Sequence, residues 1–158
     1  MASILSREEL SEVIGKLQSS GKKIVFTNGV FDILHKGHVD YLSKARSFGD
    51  ILVVGINSDS SVKRIKGERR PIVPQSDRAC LVSNLKSVDY VCIFDEDTPY
   101  ETIRMLRPDF LVKGADWKIE NVIGRDIVEG RGGKVVTIEY VDGRSTTNII
   151  KKILEVMQ

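Results

Sequence analysis

The sequence predicts an α/β protein with a doubly wound parallel sheet, and three observations support this fold class. Apolar runs rich in β-branched residues recur along the 158-residue chain. Stretches whose apolar residues have helical spacing separate these runs. The runs are apolar at nearly every position, which is typical of parallel strands covered by helices on both faces. With no repeat, low-complexity tract or linker to divide the chain, we expect a single domain over residues 1–158.

The predicted elements alternate in order along the chain. Ser6 and Glu9 form a capping-box pattern in front of an amphipathic helix that contains Leu10, Ile14 and Leu17. A second helix is predicted over 37–48, a third over 78–86 and a last one after Ser145. The predicted strands are the apolar runs 24–26, 51–56, 90–94, 110–112 and 135–138.

Composition limits the possible partners and the compartment. The formal net charge is only +2, from 24 basic and 22 acidic residues, which does not indicate binding to nucleic acid or to a membrane surface. The two cysteines, Cys80 and Cys92, lie in apolar surroundings, which fits a reducing compartment better than a disulfide framework. No signal-peptide pattern and no long apolar run is present. We therefore expect a cytoplasmic protein with no nucleic-acid or membrane partner.

The only two histidines, His35 and His38, follow the first predicted strand and bracket the first turn of the helix after it. First-turn amides of a helix are unpaired donors at the positive end of its dipole, and residues three apart share one face. An anion bound there would meet the amides and both imidazoles together. The pattern therefore favours a phosphate site.

Two other roles for the histidine pair stay open. The imidazoles could be surface or capping residues. They could also bind zinc, although zinc needs more than two ligands and both cysteines are distant in sequence. The position of the pair favours phosphate, because ligands of open α/β sheets bind at the carboxyl ends of strands, where strand order reverses. Asn57 and Lys113 follow other predicted strands, so they should face the same edge.

The block from Gly29 to His38 resembles the G-x-F-D-x-x-H-x-G-H signature of the cytidylyltransferase-like nucleotidyltransferases. The similarity covers nearly the whole chain, from about Lys23 to Ile153. Its further blocks follow in the family's order: 54–59, 62–67, Arg69-Arg70-Pro71 with Arg78, 111–117 and 142–150. Within the family, the chain looks most like the heptose 1-phosphate adenylyltransferases of ADP-heptose synthesis.

This resemblance implies a Rossmann-like fold, a homodimer and a role in lipopolysaccharide or other heptosylated glycans. The implied reaction transfers AMP from ATP to D-glycero-β-D-manno-heptose 1-phosphate and releases pyrophosphate. Mg²⁺ would be held mainly through the phosphates, and no dedicated metal cage is readable in the sequence. Two other functions stay open: a CTP-dependent enzyme acting on an alcohol phosphate such as glycerol 3-phosphate, and a non-catalytic nucleotide-binding module.

The resemblance also assigns site residues, in three groups. The catalytic group comprises His35, His38, Lys66 and Arg78. The nucleotide-binding group comprises Asn28, Gly29, Val30, Phe31, Gly37, Lys113, Gly114, Asp116, Gly143, Ser145, Thr146 and Thr147. The substrate-binding group comprises Asp32, Asn57, Asp59 and Lys63.

Three details qualify this assignment. The basic segment from Lys63 to Pro74 reads as a loop, which could be a solvated connection or could supply cationic groups to phosphates. The last block departs from the R-x-x-G-I-S-T-T pattern of many relatives, since Tyr140 replaces its arginine and Arg144 replaces its isoleucine. Trp117 could stack on a base or cover the edge of the core.

Overall fold

The computed structural model describes residues 1–140, 143 and 145–158, so Asp142 and Arg144 of the last block lie outside the described residues. The strands are β1 (Ser3–Ile4), β2 (Ile24–Gly29), β3 (Ile51–Asn57), β4 (Tyr90–Phe94), β5 (Phe110–Gly114) and β6 (Lys134–Ile138). The α-helices are α1 (Arg7–Ser19), α2 (Lys36–Arg46), α3 (Asp59–Lys66), α4 (Gln75–Ser83), α5 (Tyr100–Leu106), α6 (Arg125–Gly130) and α7 (Thr146–Val156).

The strands form one parallel sheet in the order β1-β4-β3-β2-β5-β6. The chain adds β3 and β4 on one side of β2 and later returns to add β5 and β6 on the other side. Strand order therefore reverses at β2, and a crevice forms there at the carboxyl ends of the strands. The predicted doubly wound parallel sheet is confirmed.

Helices cover both faces of the sheet, which explains why the strands are apolar at nearly every position. Val25 of β2 packs with Leu42 of α2 in one buried cluster. Its neighbour Phe26 points to the opposite face and packs in a second cluster with Leu10 of α1 and Ile103 of α5. Successive side chains of a strand alternate between faces, so a strand buried on both sides needs an unbroken apolar run.

Local signals set several helix ends. The Ser6 hydroxyl accepts a hydrogen bond from the Glu9 amide at 3.2 Å, and the Glu9 carboxylate accepts one from the Ser6 amide at 2.9 Å, which confirms the predicted capping box. The α2 helix begins one residue earlier and ends two residues earlier than predicted, and α4 covers Gln75–Ser83 instead of 78–86. Strand β1 was not predicted, because two residues are too few to show a pattern.

The prediction of a loop from Lys63 to Pro74 is partly wrong, because α3 continues to Lys66 and the loop begins only at Gly67. Ser58 caps this helix by accepting a hydrogen bond from the Ser61 amide at 3.1 Å. Gly67 ends it with a φ of 96°, a conformation that favours glycine.

Among the described residues, no helix combines the length and apolar character needed to cross a bilayer.

Candidate active site

The two histidines stand side by side at the start of α2. His35 is the N-cap residue with extended backbone angles, and His38 is the third residue of the helix. Their rings stack with centroids 3.8 Å apart, and the His35 amide donates a hydrogen bond to His38 Nδ1 at 3.4 Å. The imidazoles thus bracket the first turn of the helix, where the unpaired amides and the helix dipole favour an anion.

Burial, together with the nearby positive charges of His35 and Lys66, lowers the pKa of His38 to about 4. The His38 imidazole is therefore neutral at pH 7. A bound anion would oppose these effects, because a negative charge within a few ångströms favours the protonated ring. The site is suited to receive negative charge.

A cavity of about 670 Å³ lies at the carboxyl ends of β2, β3 and β5, next to the histidines. Small-molecule sites commonly have volumes of about 300–1,000 Å³. Most of the predicted site residues line it: Asn28, Gly29, Val30, Phe31, Asp32, His35, His38, Asn57, Lys66, Lys113, Asp116, Gly143, Ser145, Thr146 and Thr147. The fold therefore brings together segments that are more than 100 residues apart in sequence.

The remaining predicted residues do not line this cavity: Gly37, Asp59, Lys63, Arg78 and Gly114. Gly37 is buried within the first turn of α2. Lys63 is exposed on α3. The other three contact protein groups: Arg78 and Asp59 bond to each other, and Gly114 lies against the Tyr140 side chain.

Arg78 was predicted to contact phosphate, but its side chain is completely buried and its guanidinium bonds to the protein. Nε donates to the Val73 carbonyl at 2.9 Å, and Nη1 donates to the Val30 carbonyl at 2.5 Å. Nη2 donates to the Asn57 carbonyl at 2.9 Å and to an Asp59 carboxylate oxygen at 2.8 Å. Because all three nitrogens already donate, this geometry corrects the predicted roles of Arg78 and Asp59: they hold three segments of the site together.

Asp32 lines the cavity, but its carboxylate serves the protein. Both oxygens accept hydrogen bonds from the Ile72 amide, at 2.9 and 3.0 Å, and one also accepts from the Val73 amide at 2.8 Å. The other lies 3.3 Å from Arg70 Nε. With only 2% of its surface exposed, Asp32 anchors the loop before α4, and the predicted contact with substrate does not match this arrangement.

Lys113 at the end of β5 has its ammonium group enclosed. It donates a hydrogen bond to the Asn28 side chain and lies 5.7 Å from the centre of the Trp117 ring. Burial lowers the pKa of Lys113 to about 8, although the carboxylate of Asp116 acts in the opposite direction. The amine therefore remains mostly protonated at pH 7 and is available as a cation on this side of the cavity.

Gly114 faces an aromatic ring. A Cβ atom at this position would collide with the Tyr140 side chain, which also stacks on Tyr41 with centroids 5.6 Å apart. The glycine is thus needed for the Tyr140 ring to pack here. The predicted contact between Gly114 and nucleotide is replaced in this geometry by a tyrosine that itself lines the cavity.

The start of α7 forms the far side of the cavity. The Ser145 hydroxyl caps the helix by accepting a hydrogen bond from the Asn148 amide at 3.1 Å. Thr146 Oγ1 lies 3.5 Å from the Ile33 carbonyl, which connects this helix to the histidine loop. Thr147 is exposed. The cavity thus has a helix N-terminus on two sides, at α2 and at α7.

The sequence analysis gave no site role to several lining residues: Tyr41, Ile65, Arg70, Asp97, Thr98, Pro99, Ile123, Tyr140 and Asn148. The segment 97–99 could have been found, because it follows β4 just as the predicted residues follow the neighbouring strands. Trp117, whose role the sequence left open, is 45% exposed and lines the cavity.

Within the part of the chain that the structure describes, no group of three or more His, Cys, Asp or Glu side chains could hold a metal ion.

Comparison with known proteins places the chain in a family. Residues 26–152 match the model of the cytidylyltransferase-like family. A bifunctional protein HldE from Citrifermentans bemidjiense is 56% identical over 151 residues, which cover 96% of this chain and 31% of that protein. The HldE of Campylobacter curvus is 59% identical over 150 residues, again 31% of its length. The chain therefore spans about a third of the curated relatives that it matches.

A solved structure agrees with this result. The lipopolysaccharide core biosynthesis protein of Thermoplasma volcanium superposes with a TM-score of 0.63 at 33% identity, covering 77% of this chain and 98% of that one. The family match includes the histidine loop, both lysines of the cavity and most of α7. The chain belongs to the cytidylyltransferase-like family.

Proposed function

We propose that this protein is a nucleotidyltransferase that transfers AMP from ATP to D-glycero-β-D-manno-heptose 1-phosphate, giving ADP-heptose and pyrophosphate. One observation carries the reaction class: two imidazoles, two lysines and two helix N-termini converge on a single cavity at the point where strand order reverses. Such a site suits a highly charged phosphate substrate. The choice of acceptor rests on the resemblance to heptose 1-phosphate adenylyltransferases and on the HldE relatives.

The chemistry needs positioning and charge stabilisation more than proton transfer. An oxygen of the sugar phosphate attacks the α-phosphorus in line, forming a new phosphorus–oxygen bond. The bond between the α-phosphorus and the bridging oxygen breaks, and pyrophosphate leaves with that electron pair. The attacking phosphate is already ionised at pH 7, so no general base is required. His35 and His38 donate hydrogen bonds to the developing charge, and Lys66, which is close enough to lower the pKa of His38, neutralises charge on the same side of the cavity.

Mg²⁺ would enter as part of the MgATP substrate. The carboxylates that line the cavity do not form a metal-binding cluster. The Asp32 carboxylate accepts hydrogen bonds from backbone amides, and the Asp97 carboxylate accepts one from Arg64 at 2.7 Å. Magnesium commonly keeps several waters and binds through substrate phosphates. No step carried out by the protein's own residues depends on a metal held by the protein.

The nucleotide would occupy the side formed by β5 and α7. Lys113 supplies a cation there, Trp117 and Tyr140 supply partly exposed aromatic surfaces, and the amides at the start of α7 can bind phosphate oxygens. The acceptor would then occupy the side formed by β3 and β4, near Lys66 and the segment 97–99.

A cytoplasmic homodimer acting in lipopolysaccharide synthesis completes the proposal. Support for a dimer comes from the apolar residues Ile153, Leu154 and Val156 of α7 and Met157 directly after it, which are 51–80% exposed. Light scattering coupled to gel filtration tests the oligomeric state. A monomer at micromolar concentration would contradict the dimer without affecting the proposed reaction.

The decisive experiment measures pyrophosphate release for four pairs: ATP or CTP with heptose 1-phosphate or with glycerol 3-phosphate. We expect turnover for ATP with heptose 1-phosphate. Turnover only with CTP would support the alternative that the family's name suggests, a cytidylyltransferase acting on an alcohol phosphate. Binding of a nucleotide with no turnover of any pair would favour a non-catalytic module.

A further inference from the structure

Arg70, in the loop between α3 and α4, is a cation of the cavity that the sequence analysis placed in a family block but gave no role of its own. Its side chain is 18% exposed and lines the cavity together with Lys66 and the two histidines. Its neighbour Arg69 is exposed and is absent from the lining. Two adjacent arginines on one loop therefore have different surroundings, and only the second reaches the candidate site.

The carboxylate of Asp32 orients Arg70 without occupying its donors. Arg70 Nε lies 3.3 Å from an Asp32 oxygen in an ion pair that lacks hydrogen-bond geometry. Both Asp32 oxygens already accept hydrogen bonds from the amides of Ile72 and Val73. The terminal amino groups of Arg70 donate to no other side chain or carbonyl among residues 1–140, 143 and 145–158. The guanidinium of Arg70 is thus held in place, and its terminal amino groups are available to bind a ligand.

Arg78, in the same region, is an arginine whose guanidinium is almost fully engaged, because four of its five N–H groups donate to protein acceptors. It is completely buried, and each of its nitrogens donates to a carbonyl or to Asp59. Arg70 differs in facing the cavity with unengaged donors. Since the planar fork of a guanidinium matches two oxygens of a phosphate, Arg70 is suited to bind one.

The topology indicates which phosphate Arg70 would meet. Its loop follows β3, on one side of β2, whereas Lys113 and the start of α7 lie on the β5 side. In an in-line displacement the attacking and leaving oxygens lie on opposite sides of the α-phosphorus. If the triphosphate binds toward α7, the attacking phosphate approaches from the side of Arg70.

We propose that Arg70, oriented by Asp32, binds the phosphate group of the acceptor and presents it for attack. This inference rests on the proposed nucleotidyl transfer and adds a residue that selects for a phosphorylated acceptor. Asp32 is then a positioning residue, and Arg78 holds the backbone on which both depend.

The test compares Arg70→Ala, Arg70→Lys and the matched control Arg69→Ala in the same steady-state assay. We expect Arg70→Ala to raise the KM for the sugar phosphate at least tenfold, about the effect of losing 1.4 kcal/mol of binding, with the KM for ATP changed less than about twofold. Arg70→Lys keeps the charge without the fork and should be intermediate. Arg69→Ala should match the parent. Thermal unfolding of each variant establishes that it is folded.

Equal kinetics for Arg70→Ala and Arg69→Ala in an active protein would overturn this inference alone, as would an effect confined to the KM for ATP. A parent protein inactive with heptose 1-phosphate and ATP would instead contradict the proposed function. Calorimetric titration with inorganic phosphate then still tests Arg70: we expect binding several-fold weaker in Arg70→Ala than in Arg69→Ala. Equal phosphate binding by the two variants would reject the assignment.

Discussion

The cavity has two walls that are held in different ways. The histidine wall is formed by lining residues from the segments 28–38 and 66–73, and buried bonds of Asp32 and Arg78, whose exposed fractions are 2% and 0%, hold these segments. The α7 wall is formed by lining residues from the segments 113–117 and 145–148, and α7 itself has no buried residue. Buried hydrogen bonds therefore fix the groups proposed to act on the reacting phosphate, whereas the helix on the side proposed for the nucleotide, α7, buries none of its residues. Catalysis by fixed dipoles and charges needs such pre-organisation on the first wall.

Removing the main tie of the histidine wall should have the largest effect. Arg78→Met leaves the carbonyls of Val30, Asn57 and Val73 without their donor and Asp59 without its partner. Breaking a buried charged network in this way costs about 3–5 kcal/mol of unfolding free energy. Urea unfolding measures it, and the exposed Lys63→Met on the preceding helix should change stability by less than about 0.5 kcal/mol. A loss below about 1 kcal/mol for Arg78→Met would show that the wall is not held by this residue.

Removing one imidazole should affect catalysis instead of folding. His38→Ala should lower the rate of pyrophosphate release by about 10²–10³-fold, the usual effect of losing one donor to a developing oxyanion. Lys36→Ala is the control, because Lys36 is exposed in the same helical turn and forms an ion pair with Asp40. Turnover of His38→Ala at the parent rate would contradict the proposed role of the histidine wall.

The pH dependence of stability should also report on His38. Its pKa is about 4 in the folded protein and about 6.5 in an unfolded chain, so between these values the unfolded chain binds a proton that the folded protein does not. The free energy of unfolding should therefore decrease as the pH falls from 6.5 to 4. In His38→Gln this decrease should be smaller, as measured by urea unfolding at several pH values. Parallel pH profiles for the two proteins would contradict the neutral, partly buried state of His38.

The α7 wall should show the smallest effect. Ser145→Ala removes a helix cap, which typically costs about 1 kcal/mol, but α7 has no buried residue to link its unfolding to that of the core. We therefore expect faster hydrogen exchange of the α7 amides with little change in global stability. Ser6→Ala provides the comparison. Because α1 buries Leu10 and Ile14, loss of its cap should lower the free energy of global unfolding. Equal global losses for the two variants would show that α7 is as firmly packed as α1.

Much of the site could be predicted because it follows strand ends. Asn28, Asn57 and Lys113 each sit at the end of an apolar run, and parallel strands bring their carboxyl ends to one edge. The same rule would have found Thr98 after β4. This rule could not assign roles to the arginines, because neither Arg70 nor Arg78 lies at a strand end. Only the groups that surround each side chain show that Arg78 is enclosed and that Arg70 faces the cavity.

The sequence by itself determined the fold class, the strand positions, the Ser6 cap and the helix start that carries both histidines. These depend on local periodicity and on hydrogen bonds between residues three apart. Only the tertiary structure decided the strand order, the burial of Arg78, the use of Asp32 as an anchor and the exposure of Arg70 to the cavity. The physical reason is that a charged side chain takes its role from the groups that surround it, and those groups come from distant parts of the chain.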